Sequence, residues 1–169
     1  MLLAYVAAVL DRDLRTLSRE IAAYGDERDL WRMAPGVPNS AGTLALHLAG
    51  NIQHYLGARL GGTAYVRDRP AEFAERGVPR AELLARIEAA RAAVRAAAAA
   101  ELDTSADFPE IIGDARIVTE DYLLHLCTHF AFHLGQLDYH RRFVTGDAAG
   151  VGAVRPAELG SARPAADAG

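Results

Sequence analysis

Cysteine and long apolar runs are scarce in this sequence, and each scarcity excludes a class of protein. Cys127 is the only cysteine, so no intramolecular disulfide can form and the fold does not depend on an oxidising compartment. The N-terminal apolar stretch meets the charged residues Asp11, Arg12 and Asp13, which is too early for a membrane span, and it lacks the basic leader of a signal peptide. We therefore expect a cytoplasmic protein without a membrane partner.

Neither the basic nor the acidic residues are concentrated in one part of the sequence. The 18 basic residues, all of them arginine, are spread among 22 acidic ones, and the formal net charge is −4. A nucleic-acid partner requires a basic patch that neutralises phosphates, so we expect none. With 169 residues, of which 51% are hydrophobic, the chain is long enough for one core and too short for a second independent domain.

The first half of the chain shows helical patterning. Between residue 2 and about residue 24, apolar side chains recur at three- and four-residue steps, the period of one buried helical stripe. A second helix is predicted from about Ala41 to Leu60, after an N-cap at Asn39 or Ser40 and before the pair Gly61-Gly62. The segment from 63 to 78 has no sustained period, which indicates a long connection.

Two further helices follow this connection. Pro79 is placed as the first residue of helix three, which runs through an alanine-rich half to about Leu102. Thr119, followed by two acidic residues, opens helix four, which ends near Gly146. Four helices with one long connection predict an all-α four-helix bundle with a long crossover between helices 2 and 3. The bundle spans 1–146, and 147–169, rich in Ala, Gly and Pro, is predicted to be a flexible C-terminal tail.

All six histidines fall in two segments: His47 and His54 on helix two, and His125, His129, His133 and His140 on helix four. At about 100° per residue, the histidines of helix four share one face with Tyr122 and Gln136, beside an apolar stripe. On helix two, Asn51 and His54 share the face of His47. The two polar faces can therefore oppose one another.

This arrangement favours a metal site. His129 and His133, four residues apart on one helix, have a spacing that can chelate, and His47 can complete a set of three neutral nitrogens with an open fourth position. The residues alone also allow surface histidines or a hydrogen-bonded polar layer in the bundle. A trio that includes His125 or His54 is a further alternative.

Two motifs resemble a known family. Helix four reads YLLHLCTHFAFHLGQLDYHRRFVTG, and its H-x-x-x-H-x-G-Q core resembles that of the DinB/YfiT-like superfamily of metal-dependent enzymes. The segment NSAGTLALHLAGNIQHYLG resembles the second-helix histidine motif of the same family. The resemblance extends from helix one to Gly146. It implies an up-down-down-up four-helix bundle, often homodimeric, with a metal held by His47, His129 and His133.

The resemblance also implies a function. Some members of this superfamily are thiol S-transferases that use a low-molecular-weight thiol, and others are described as hydrolases. We therefore expect a metal-dependent transferase or hydrolase that binds a divalent ion, Zn or Ni foremost, and a small-molecule substrate or thiol. The alternatives are a noncatalytic metal- or ligand-binding stress protein and a purely structural bundle.

Other residues are candidates for the surroundings of the site. Five polar residues on the two histidine faces are predicted to lie in the second layer around the metal or in the cleft: Asn51, His54, His125, Gln136 and His140. Gly135, in the same motif, would permit close helix contact.

Arg67 and Arg69 lie with Glu72 in the long connection. We expect this segment either to cover the cleft, or to recognise an anionic substrate, or to be a solvated loop with local ion pairs. No Asp or Glu joins the histidine face, which counts against hydrolysis. Cys127 lies on the opposite side of helix four and is not proposed as a nucleophile. With Leu124 it forms a further apolar edge suited to a homodimer.

Overall fold

The computed structural model describes residues 2–163, and in this range the regular secondary structure is helical apart from two isolated β-bridges. The α-helices are α1 Leu2–Ala22, α2 Ala41–Ile52, α3 Arg69–Ala74, α4 Arg80–Ala99 and α5 Thr119–Thr145. Short 3-10 turns cover Glu27–Trp31 and Pro156–Glu158. The prediction of an all-α protein is confirmed. None of the described helices combines the length and the apolar character needed to span a membrane.

The four long helices share one apolar core. α1 and α2 each pack against both α4 and α5, and the leucines of the α1 stripe, such as Leu10, Leu14 and Leu17, are fully buried. Each such side chain contributes about 1.5–3 kcal/mol through its removal from water. The four-helix bundle and its up-down-down-up order stay predictions.

The second helix changes character before its predicted end. After Ile52 the backbone continues as a π-helical turn, Gln53–Ala58, so the helix predicted from about Ala41 to Leu60 is present but changes from α to π geometry after Ile52. A π turn is wider than an α turn, and side-chain directions after Ile52 therefore depart from those calculated at 100° per residue.

The same segment packs closely on α4. A Cβ atom at Gly57 would lie 2.9 Å from the Cβ of Ala93, and one at Gly61 would lie 2.8 Å from the backbone nitrogen of Ala97. Small residues on both sides therefore let the two backbones approach each other. This contact gives the alanine-rich half of α4 a packing role.

The long connection contains a short helix that the sequence analysis did not predict. The side chain of Asp68 caps α3 by accepting a hydrogen bond from the backbone N–H of Ala71 at 3.0 Å, and Pro70 occupies the first turn. α3 packs against α2 and so brings the connection onto the histidine face. Pro79 is the N-cap of α4 and not its first residue.

Two segments outside the long helices are also ordered against them. Before α5 the chain folds back on itself, with the Phe108 N–H donating to the Ile117 carbonyl at 2.8 Å. After α5, Glu158 accepts a hydrogen bond from Arg19 of α1 at 3.3 Å. Of the predicted domain and tail, Met1 and residues 164–169 lie outside the described residues, and the flexibility of the tail stays a prediction.

Candidate metal centre

Three imidazoles from two helices converge on one point of the histidine face. His47 belongs to α2, and His129 and His133 lie one turn apart on α5. The Nε2 atoms of His47 and His129 are 3.3 Å apart, and one nitrogen from each of the three rings lies within 4.8 Å of the others. No other group of three metal-ligating side chains comes this close in residues 2–163.

The spacing of these nitrogens suits a metal ion. Two nitrogens bound to one tetrahedral Zn²⁺ at 2.0–2.1 Å are separated by about 3.3 Å, the distance found between His47 and His129. Burial, reinforced by the neighbouring His133 and His47, lowers the pKa of His129 to about 4, and burial also lowers the pKa of His133. His129 and His133 are therefore neutral at pH 7, the state in which imidazole binds a metal.

A buried glutamate orients His47. The Nδ1–H of His47 donates to Glu72 Oε2 at 3.0 Å, and since a carboxylate can only accept, the proton lies on Nδ1 and the lone pair on Nε2 points towards His129. Arg67 donates to both oxygens of the same carboxylate, at 2.7 and 2.8 Å. Burial opposes ionisation of Glu72, but the hydrogen bonds from Arg67 and His47 outweigh it and lower its pKa.

Glycine at position 50 makes room for this carboxylate. A Cβ atom at Gly50 would collide with Glu72 Oε1 and would lie 2.8 Å from Glu72 Cδ. The absence of a side chain one turn after His47 therefore allows α3 to place its glutamate directly against α2.

Gln136 contacts His133 in a comparable way. The Nδ1 of His133 lies 2.8 Å from Gln136 Oε1, and because an amide oxygen only accepts, the ring proton is on Nδ1 and Nε2 carries the lone pair. The Nδ1 atom of His129, by contrast, is buried without a hydrogen-bond partner among the described residues. Two of the three rings thus have a fixed tautomer.

The comparison with protein families agrees with this site. The model of the mycothiol S-transferase family matches residues 5–146, a range that contains both histidine-bearing helices. The chain belongs to this family. The family is part of the DinB/YfiT-like superfamily, which confirms the resemblance seen in the two histidine motifs. Searches of curated proteins and of solved structures find no match.

The other histidines of this mycothiol S-transferase family member have different surroundings. His54 lies in the π turn, where its Nε2 is 2.9 Å from Glu110 Oε2. His125 is exposed and stacks on Tyr122, with 5.6 Å between ring centroids. His140 is buried between the Tyr24 hydroxyl and the Arg32 carbonyl, each at 2.8 Å. None of the three joins the close group of nitrogens.

The remaining predicted residues lie around the triad. Asn51 is buried on α2, with 7% of its surface exposed. Arg67 is engaged with Glu72 and lies over the ring of Tyr55 at 5.5 Å, whereas the exposed Arg69 lies over Phe73 at 5.1 Å. A Cβ added at Gly135 would meet no atom of another described element within 4 Å, so the close helix contact expected there is not present.

Sequence reasoning missed the partner of His47. The histidine faces of the two helices carry no Asp or Glu of their own, as the sequence analysis predicted. The tertiary structure nevertheless brings Glu72 to His47 from α3. Phe73 reaches the same ring, with 4.9 Å between centroids. A signal for α3 was present in the sequence Asp68-Arg-Pro-Ala-Glu72. It combines a capping residue with a proline and an acidic residue in the first turn of a helix.

Proposed function

We propose that this chain is a metal-dependent thiol S-transferase in which His47, His129 and His133 hold one divalent ion. The observation that carries the proposal is the convergence of three imidazole nitrogens within 4.8 Å in a member of a mycothiol S-transferase family. Zn and Ni are the foremost candidates for the ion, because imidazole ligands suit both.

The chemistry follows from the donor set. A divalent ion lowers the pKa of a thiol that binds to it, and so supplies a thiolate at neutral pH. Three imidazole ligands carry no negative charge, so they would leave the charge of a bound divalent ion uncompensated and would favour an anionic sulfur over a neutral thiol as a further ligand. Glu72 and Gln136 hold His47 and His133 in the tautomer whose Nε2 is free.

Thiol transfer fits the surroundings better than hydrolysis. A hydrolase needs a general base close to the attacking water. Glu72 is the carboxylate in contact with the triad, but its oxygens already accept hydrogen bonds from Arg67 and His47, and its pKa is lowered. It is therefore a weak base, and thiol transfer does not require one.

We further propose a small-molecule acceptor and a low-molecular-weight thiol as substrates, and a homodimer as the assembly. The exposed apolar side chains of α5 support the dimer, since half of the surface of Leu124 faces solvent and Cys127 lies half-buried beside it. The noncatalytic metal- or ligand-binding stress protein would have the same triad but would consume no thiol.

Metal content of untagged protein tests the site. Wild type is compared by elemental analysis with His47→Ala, His129→Ala and His133→Ala, and with His125→Ala as a matched control on the same face, after circular dichroism has established that each is folded. We expect about one tightly held ion per chain in wild type and His125→Ala, and loss of the ion in the other three. A folded wild type that holds no ion after loading would contradict the proposal.

Consumption of a thiol tests the reaction. With mycothiol and an electrophile, the loaded wild type is expected to consume thiol and acceptor in equal amounts, and the three triad variants are expected to lose this activity. A protein that binds the ion at the triad but accelerates no thiol transfer would be the noncatalytic alternative.

A further inference from the structure

A cavity of about 390 Å³ opens beside the metal centre. Its walls come from α5, from Leu44 of α2 and from the segment 34–39 that precedes α2. His133 lines this cavity and also belongs to the triad. The volume lies in the range of small-molecule pockets, and the shared histidine places the cavity next to the triad.

The lining selects for an uncharged molecule. None of the lining residues is Asp, Glu or Arg. Of the polar ones, Gln136 accepts through Oε1 from His133, and both ring nitrogens of His140 bond to Tyr24 and the Arg32 carbonyl; Asn39 and the Tyr139 hydroxyl add uncharged polar groups. The apolar and aromatic side chains that remain are Val37, Pro38, Leu44, Tyr139 and Phe143. A charged ligand would lose hydration here without finding an oppositely charged Asp, Glu or Arg side chain, whereas an apolar one would gain from burial.

The opposite end of the triad is polar. Beside His47, the guanidinium of Arg67 lies over Tyr55; in the π turn that follows α2, His54 is joined to Glu110, and Arg59 reaches the same carboxylate. Thiols that are dissolved in water carry polar groups, which this end can bind. The two ends of the cleft therefore differ in chemistry, as the two substrates of a transferase do.

We propose that the apolar cavity binds the acceptor of the thiol: a small, uncharged molecule with an aromatic or apolar body and an electrophilic carbon. This inference rests on the proposed function. In the transfer, a lone pair of the thiolate sulfur forms the new S–C bond, the leaving group departs with the electron pair of the bond that breaks, and the proton of the thiol passes to solvent. His133, shared by both sites, places that carbon close to the sulfur.

Binding to the metal-free protein tests the cavity independently of activity. The probe is 1,3-dinitrobenzene, an uncharged aromatic compound that has no halide for a thiol to displace. Its affinity is measured by ligand-observed NMR. Phe143→Lys places a charge on the cavity wall, and because Phe143 is 79% exposed, the change leaves the core intact. Leu124→Lys is the matched control, since Leu124 is an exposed apolar residue of the same helix outside the cavity.

We expect Phe143→Lys to weaken binding of the probe at least fivefold and Leu124→Lys to change it less than twofold. Equal effects of the two variants, or no binding to wild type, would overturn the proposal. A further result would also overturn the proposal: a wild-type dimer in sedimentation experiments that is dissociated by Phe143→Lys but not by Leu124→Lys. The cavity wall would then be covered by a second copy of the chain.

Kinetics with the zinc-loaded protein then assigns the cavity to the acceptor. With 1-chloro-2,4-dinitrobenzene as acceptor, Phe143→Lys is expected to raise the KM for the acceptor at least fivefold and to leave the KM for the thiol unchanged. A raised KM for the thiol would overturn the assignment. If the probe binds in the cavity but no thiol is transferred, both the proposed function and the acceptor role fail, while the metal content still reports separately on the triad.

Discussion

Glu72 and His47 lie on different helices and are joined by a hydrogen bond of 3.0 Å from the imidazole Nδ1 to a carboxylate oxygen. The bond leaves Nε2 of His47 facing His129. Since Arg67 holds the other side of the carboxylate, the direction of His47 is set by a buried ion pair before any metal binds.

Gly50→Ala is expected to weaken metal binding by about 10–100-fold, the usual effect of losing a partner that orients a ligand. The added methyl group would collide with the Glu72 carboxylate and displace it from His47. Affinity is measured by competition with a chromogenic zinc chelator. Gly135→Ala is the matched control, because its Cβ would meet open space, and equal affinities of the two variants would contradict the role of Glu72.

Gln136→Leu tests the orientation of His133 in the same way. Loss of the 2.8 Å contact with His133 Nδ1 frees the ring to rotate and to change tautomer, so the zinc affinity is expected to fall by about tenfold. Gln53→Leu, which changes a glutamine that bonds only to its own helix, serves as the control. An unchanged affinity in Gln136→Leu would show that packing alone holds His133.

Cys127 is expected to be unreactive and dispensable. Burial, with a smaller contribution from the nearby Asp13, raises the pKa of its thiol to about 11, so at pH 7 almost none of it is thiolate. Alkylation by iodoacetamide, followed by mass spectrometry, should be slow at pH 7 and accelerate about tenfold per pH unit below that pKa. Cys127→Ala is expected to retain its metal and its thiol transfer, and loss of either would place the cysteine in the site.

Arg141→Met is expected to destabilise the fold by about 3–5 kcal/mol, because it removes one partner of a buried ion pair. Arg141 donates to Glu20 Oε2 at 2.6 Å, and both side chains are almost completely inaccessible. The free energy of unfolding is measured by urea denaturation. Arg142→Met removes the same charge from the next, solvent-facing position and is expected to cost much less; similar losses in the two variants would contradict a special role of the buried pair.

Local patterns in the sequence determined the helical segments and the chelating pair His129 and His133. The apolar stripe of α1 and the N-cap of α2 at Ser40 depend on neighbours within one or two turns, and so does the spacing of His129 and His133. The cap predicted at Thr119 was wrong, because Val118 is the N-cap of α5 and Thr119 is its first residue. The family motif then added His47, which the structure places with them. These features need little knowledge of long-range packing.

Only the tertiary structure decided which groups surround the triad. Glu72 is separated from His47 by 25 positions, and its contact depends on the direction of a long connection and on the space at Gly50. The π turn redirected His54 to Glu110, and the cavity beside His133 required the segment 34–39 to fold over α5. Helical periodicity describes directions around one axis, whereas these contacts depend on how separate segments pack.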